Sequence, residues 1–293
     1  MIHQKLLCLR WATLPPSRRT LRRAGLFGWI GLLIFGLTFG LLFGLAFTPA
    51  PALAQDSPPL DPFDSWNAGA SDDTTSLAWG DVDGDGDLDL ALGKEGSANQ
   101  LYLNQNGELQ TTAFWTSEDS DNTKSVAWGD VDGDGDLDLA AGNAGSPNRL
   151  YLNQGGRLQT AANNPWSSEE IYTTTSVAWG DVNGDGYLDL AVGNRGSPNR
   201  VYLNENGVLQ ATPAWSSDLT ETTTSVAWGD VNKDGKLDLA VGNDGSPNRV
   251  YLNENGGLQS APAWSAAYSE TTNSVAWGDM DGDGKLGLAV GNY

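Results

Sequence analysis

The chain has 293 residues, with 37 acidic side chains against 16 basic ones and a formal net charge of −21. Residues 1–54 hold six bases (Lys5, Arg10, Arg18, Arg19, Arg22, Arg23) and no acid, so residues 55–293 carry 37 acids against ten bases, a formal −27. Such a surface repels nucleic acid and anionic lipid, which excludes a DNA-binding role and leaves cations, or surfaces that carry them, as partners.

The basic start is followed by an apolar run, Ala24 to Phe47, and then "TPAPALAQD" (Thr48–Asp56). An n-region, an h-region and the Ala-x-Ala site at Ala52-Leu53-Ala54 predict an export signal cleaved before Gln55. Residues 24–47 are also long enough to span a bilayer, and Gly36, Gly40 and Gly44 repeat the spacing that lets membrane helices approach, so an uncleaved N-terminal hydrophobic helix serving as an anchor is the second reading. Either way, residues 1–54 are a signal peptide or membrane anchor, and residues 55–293 are exported to the cell surface or secreted. The sole cysteine, Cys8, and the sole histidine, His3, precede the apolar run. Disulfides, histidine–metal sites and Ser–His or Cys–His nucleophiles are therefore excluded from the exported body.

That body is one unit repeated. Aspartates at 81, 130, 181, 230 and 279 recur at spacings of 49, 51, 49 and 49. A tryptophan precedes each by two residues (Trp79, Trp128, Trp179, Trp228, Trp277) and another by fifteen (Trp66, Trp115, Trp166, Trp215, Trp264). Within the fourth unit, "SVAWGDV" (Ser225–Val231), "LDLAVGN" (Leu237–Asn243), "NRVYLN" (Asn248–Asn253) and "LQSAPAW" (Leu258–Trp264) read as four short strands. Pro262, like Pro213, cannot donate to a ladder, so the fourth strand is predicted to be an outer edge. Four antiparallel strands per unit of about 50 residues describe a propeller blade. The fold class is thus all-β: a β-propeller of about five four-stranded blades, with the tryptophans as wedges between them. "LDPFDSW" (Leu60–Trp66) reads as an orphan outer strand, and the last unit, Ser274–Asn292, supplies two strands, so the last blade is incomplete.

The nine residues that open each unit carry the chemistry. They are DVDGDGDLD (Asp81–Asp89), DVDGDGDLD (Asp130–Asp138), DVNGDGYLD (Asp181–Asp189), DVNKDGKLD (Asp230–Asp238) and DMDGDGKLG (Asp279–Gly287). Positions one, three and five supply Asp81, Asp83, Asp85; Asp130, Asp132, Asp134; Asp181, Asn183, Asp185; Asp230, Asn232, Asp234; and Asp279, Asp281, Asp283. Position nine adds Asp89, Asp138, Asp189 and Asp238. Position seven varies from acid to base (Asp87, Asp136, Tyr187, Lys236, Lys285), so its backbone carbonyl is the expected ligand and its side chain points away. Oxygen ligands at alternate positions around a glycine turn suit Ca²⁺. An EF-hand is excluded because its bidentate acid at position twelve falls on Leu92, Ala141, Val192, Val241 and Val290. Gly287 makes the fifth site the weakest. Filling all five would move the body from −27 to −17, which predicts folding coupled to calcium.

The calcium loop between strands, followed by "LAVGNxGSPNRVYLN", resembles the FG-GAP/VCBS repeat, the blade of integrin α-subunit-type propellers. The resemblance covers about residues 60–293. It implies metal ligation by the positions above, Gly287 excepted, and adhesion or ligand recognition at a surface. Its "FG-GAP" signature is altered here to Gly-Asn-x-Gly-Ser-Pro, and the propellers of the family usually have seven blades.

Positions that repeat identically maintain the blade, so recognition falls to those that differ. At the face opposite the calcium loops these are Glu95, Ala144, Arg195 and Asp244, and the loops after the outer tryptophans with Tyr172, Leu219 and Tyr268. Arg149, Arg200 and Arg249 are expected to pair with nearby acids. The expected function is a calcium-stabilised binding or adhesion module, non-enzymatic, with a protein or carbohydrate ligand at that face. The alternatives are a lectin-like propeller, a carboxylate-only glycosidase using acids such as Glu169 and Glu170, and a truncated fragment.

Overall fold

The computed structural model describes residues 66–68, 73–160, 166–254 and 256–293. The expectations for residues 1–54 and for the strand begun at Leu60 lie outside the described residues, apart from Trp66. Among the described residues every regular element is a strand.

Residues 67–293 form one compact unit built of repeated antiparallel sheets. In the third repeat the order is Thr174–Gly180, Asp189–Asn194, Arg200–Tyr202 and Trp215–Ser216, each strand bonded to the next. The first repeat, starting at Thr74–Gly80, and the second, starting at Thr123–Gly129, follow the same order. In the fourth, the strands merge: Thr223–Gly229, Asp238–Tyr251, Trp264–Gly278 and Gly287–Asn292 share one sheet. There the segment after Trp264 is strand, with Asp244 opposite Thr271 and Pro247 opposite Ser269. The loop expected over Ser265–Asn273 is therefore part of a strand, paired at Ser265 and again from Ser269 to Thr272.

The outer strand is shorter than its sequence indicates. It is two residues long, Trp115–Thr116, Trp166–Ser167 or Trp215–Ser216. The preceding Leu-Gln belongs instead to a small hairpin, Asn104–Gln105 with Glu108–Leu109 and Asn204–Glu205 with Val208–Leu209. Its turn is Asn-Gly with both residues at positive φ (Asn106 56°, Gly107 83°), the geometry that matches strand twist. Pro213 lies in the connection before the edge strand rather than in it.

The core lies between repeats. Val82, Ala91, Leu101, Leu103 and Trp115 of the first pack with Val126, Leu139, Ala141, Tyr151 and Leu158 of the second, and two further clusters join the second to the third and the third to the fourth. This explains why the second strand of each repeat, Asp-Leu-Ala-x-Gly-Asn in repeats two to four, is wholly buried: it is covered on both faces, so it carries no polar alternation.

Both tryptophans are wedges. Each inner indole N–H donates to the alanine carbonyl of the repeat before it: Trp128 to Ala78 (3.1 Å), Trp179 to Ala127 (3.2 Å), Trp228 to Ala178 (3.1 Å) and Trp277 to Ala227 (3.1 Å). Each outer indole meets a buried tyrosine of the next repeat edge-on, Trp115 on Tyr151 at 5.0 Å, Trp166 on Tyr202 at 5.4 Å and Trp215 on Tyr251 at 5.2 Å.

The inner wedge needs glycine beneath it. A Cβ at Gly180 would lie 2.7 Å from Trp228 Cδ1, whereas one at Gly278 would meet nothing within 4 Å. Gly180→Ala is expected to cost about 1–3 kcal/mol by overpacking, and Gly278→Ala to leave the thermal midpoint near that of the parent chain. Equal midpoints for the two variants in thermal unfolding would show that the indole is not seated on the glycine.

Candidate metal centre

Each nine-residue loop joins an inner strand to the second strand, at the same end of every repeat. Two apolar anchors fix it. The position-two valine (Val82, Val131, Val182) is buried in the core shared with the next repeat. The position-eight leucine reaches the preceding repeat, as Leu137 does over Gly80. Positions four and six turn through positive φ (Gly84 74°, Gly86 94°). In the fourth loop Lys233 adopts this conformation (φ 62°) where the others have glycine.

The first, third and fifth positions turn inward through their own backbone. Asp81 Oδ2 accepts the Gly86 N–H (3.0 Å), Asp83 Oδ1 the Asp85 N–H (3.3 Å) and Asp85 Oδ1 the Asp87 N–H (2.9 Å). The same bonds recur at Asp130, Asp132 and Asp134, and at Asp279, Asp281 and Asp283. Carboxylate oxygens of Asp81, Asp83 and Asp85 consequently lie within 4.8 Å of one another, as do those of Asp130, Asp132 and Asp138 and those of Asp279, Asp281 and Asp283. Asp81 Oδ1 is buried without a partner. In the third and fourth loops the amides of Asn183 and Asn232 bridge the fifth-position carboxylates, Asn183 Nδ2 donating to Asp185 (2.9 Å) and Asn232 Nδ2 to Asp234 (3.3 Å). Asp181 and Asp230 keep the bonds of the first position.

The ninth aspartate has a second role. Asp89, Asp138, Asp189 and Asp238 are fully buried. Each accepts two backbone N–H groups, one from position two of its own loop and one from the asparagine two residues after the third strand: Val182 (2.9 Å) and Asn204 (2.8 Å) for Asp189. Burial raises all four above the ordinary aspartate range, the two backbone donors opposing it, and Asp138 is pushed up to about 6. A buried acid held between donors and beside other carboxylates is poised to give up its proton, and so gain negative charge, when a cation sits beside it.

The expectation that position-seven side chains point away from the centre fails for the two lysines, whose ammonium groups are drawn back by the acids they neutralise. Asp136 accepts the Gly155 N–H (2.9 Å) from its own repeat's turn. Lys236 and Lys285 instead place ammonium groups on the fifth-position carboxylates, 3.8 Å from Asp234 and 2.9 Å from Asp283. With Gly287 as well, the fifth loop has a resident cation in place of a ninth acid. Asp87 and Tyr187 bond to the loop through the backbone, each N–H donating to the fifth-position aspartate.

An asparagine completes the centre, and the strand pattern hides it. Asn153 Nδ2 donates to Val82 O (2.8 Å), Asn204 Nδ2 to Val131 O (2.7 Å) and Asn253 Nδ2 to Val182 O (2.6 Å), tying each repeat to the loop of the one before. Its identical recurrence at the end of "YLN" was the available signal. Elsewhere, Arg149 pairs with Asp121 (2.8 Å) and Asp119 (3.2 Å), and Arg249 with Glu221 (2.6 Å). Arg200 departs from the expected acid pairing: it lies over the Tyr172 ring at 5.6 Å, because tyrosine stands where its neighbours have Asp121 and Glu221. Tyr172 thereby becomes structural, Tyr268 stays 78% exposed, and Glu170 accepts the Tyr202 hydroxyl (2.7 Å).

Residues 81–141, 130–192, 181–241 and 231–290 each match the FG-GAP-like repeat. The chain belongs to the FG-GAP-like repeat family. The FG-GAP repeats give it a binding-module scaffold of propeller-like fold, and their aspartate clusters are compatible with Ca²⁺. The chain is similar in structure to BBS1N as solved in complex with ARL6DN and soaked with lead, with a TM-score of 0.52 and 14% identity over 77% of this chain, which shows the fold alone. It spans 66% of that chain's length. No curated protein matches it.

Proposed function

We propose that this FG-GAP repeat chain is an exported calcium-binding module of about five blades that acts in adhesion or ligand binding, at the cell surface or secreted. The observation that carries the reading is the inward set of carboxylates, with oxygens within 4.8 Å of one another in three loops and Asp81 Oδ1 buried without a partner. Like charges so close are costly in isolation and become favourable around a divalent ion. Export rests on the basic start, the apolar run and the Ala-x-Ala site. The calcium loops stiffen one face, and the variable loops of the other take a protein or carbohydrate ligand. No acid pair outside the loops is needed for this role, so the module is read as non-enzymatic.

The test is calorimetric titration of the chelator-stripped chain with calcium chloride. Binding is expected around 10⁻⁴–10⁻³ M, roughly as in extracellular modules, with one class of site clearly weaker. Lys285→Ala should strengthen that weakest class by removing the competing ammonium. Absence of any calcium heat up to about 10 mM would overturn the reading.

A further inference from the structure

The inner strands begin at the face opposite the calcium loops, and there the first four repeats line an open cavity of about 390 Å³, bounded by Thr75, Lys124, Thr173, Thr175, Arg195 and Thr224. Its volume falls in the range of small-molecule sites. Two of its residues break the repeat. Thr75, Thr175 and Thr224 occupy one equivalent position, at which the second repeat has Lys124. Arg195 stands where the neighbouring repeats have Ala144 and Asp244. A body with ten bases against 37 acids thus turns two non-repeating bases into one cavity.

The threonines do a structural job that the lysine gives up. Thr75 Oγ1 lies between the carbonyls of Gly93 (3.1 Å) and Thr123 (2.5 Å), Thr175 Oγ1 between those of Gly193 (3.0 Å) and Thr223 (2.7 Å), and Thr224 Oγ1 between those of Gly242 (3.0 Å) and Thr272 (2.6 Å). Each hydroxyl staples two repeats. Lys124 forgoes the staple and pairs with Glu95 at 2.8 Å. Among the described residues Arg195 forms no ion pair, and its backbone N–H is bonded to Thr173 O (2.8 Å). The cavity therefore offers a guanidinium fork, a second ammonium held by one exposed carboxylate, and the hydroxyl oxygens of Thr75, Thr175 and Thr224, whose hydrogens are already committed and which can only accept.

We infer that this cavity binds a small polyhydroxylated carboxylate, of the sugar-acid class, with Arg195 and Lys124 on the carboxylate and the threonine oxygens accepting from its hydroxyls. A carboxylate suits the planar fork of arginine, and hydroxyl donors suit an acceptor-only rim. The inference rests on the reading of the chain as a binding module whose recognition face is opposite the calcium loops.

The experiment titrates sodium D-galacturonate into the full chain with calcium present, alongside methyl D-galacturonate, galactose and acetate. Galacturonate is expected to saturate in the millimolar range or below, and the three others to bind at least about tenfold more weakly. Lys124→Thr and Arg195→Ala restore the residues of neighbouring repeats, so both should fold, and each is expected to lose about tenfold in affinity. Glu95→Gln frees the Lys124 ammonium and is expected to tighten binding, which a merely structural Lys124 would not do. No saturation by about 10 mM, equal binding of the ester, galactose or acetate, or unchanged affinity in both base-removing variants would overturn the inference. Calcium binding read in the same samples separates this failure from failure of the calcium reading, since the cavity lies at the opposite ends of the strands.

Discussion

Asp189→Ala is expected to destabilise the chain by about 2–6 kcal/mol even in excess chelator, because two buried backbone donors lose their acceptor at about 1–3 kcal/mol each. Those donors are the Val182 and Asn204 N–H groups, at 2.9 and 2.8 Å from a carboxylate with no exposure. Val182 anchors the loop in the core, and Asn204 reaches back to Val131 O of the preceding repeat. Losing the acceptor therefore loosens the third loop and its junction with the second together. Asp87→Ala is the control. Its side chain makes no hydrogen bond or ion pair with the described residues, so its effect in chelator should stay within about 0.5 kcal/mol. Chemical unfolding of both variants without calcium decides the matter, and comparable midpoints would mean that the ninth aspartate is a metal ligand alone. In the fifth loop Gly287 stands at this position and offers no side-chain acceptor.

The sequence made the period, the loops and their carboxylates legible because each repeat must keep them to keep its neighbour. A wedge such as Trp228 has one place to go once Gly180 leaves room for it, and its spacing from Asp230 records that. The outer strand was not legible in the same way. "LQSAPAW" and its equivalents alternate like one strand, yet their first residues pair locally, Val208–Leu209 with Asn204–Glu205 and Gly257–Leu258 with Asn253–Glu254, and the chain reaches the edge only at tryptophan. Alternation reports which faces are apolar and is silent on the partner strand. The asparagine of "YLN" was hidden for a related reason. Asn before a turn has a sufficient local explanation, and its bond to the preceding loop's carbonyl spans 71 to 73 residues. Arg200 was misjudged because its acid is replaced by Tyr172, whose ring face offers a guanidinium an attraction that charge counting omits.

In excess chelator the melting temperature is expected to rise as pH is lowered from about 7 to about 5, and in saturating calcium to fall over the same interval. The sign in chelator follows from the ninth aspartates. Burial pushes Asp138 up to about 6, from an unfolded value near 3.8, and raises Asp89, Asp189 and Asp238 in the same direction. Between those limits the folded chain binds more protons than the unfolded one, so stability is gained as pH falls through 6 and is lost as it rises. Calcium inverts this because the ion requires the carboxylates ionised, and protons then compete with it. General self-repulsion of a body at −27 would also ease on acidification, but it acts between exposed charges and is screened by salt within about 3 Å at 1 M. Buried groups are screened far less. A rise in chelator that survives 1 M sodium chloride therefore belongs to the four buried aspartates, and one that vanishes belongs to the surface. If the slope has the same sign with and without calcium, the ion does not sit among these carboxylates, and their crowding must be balanced by the backbone donors alone.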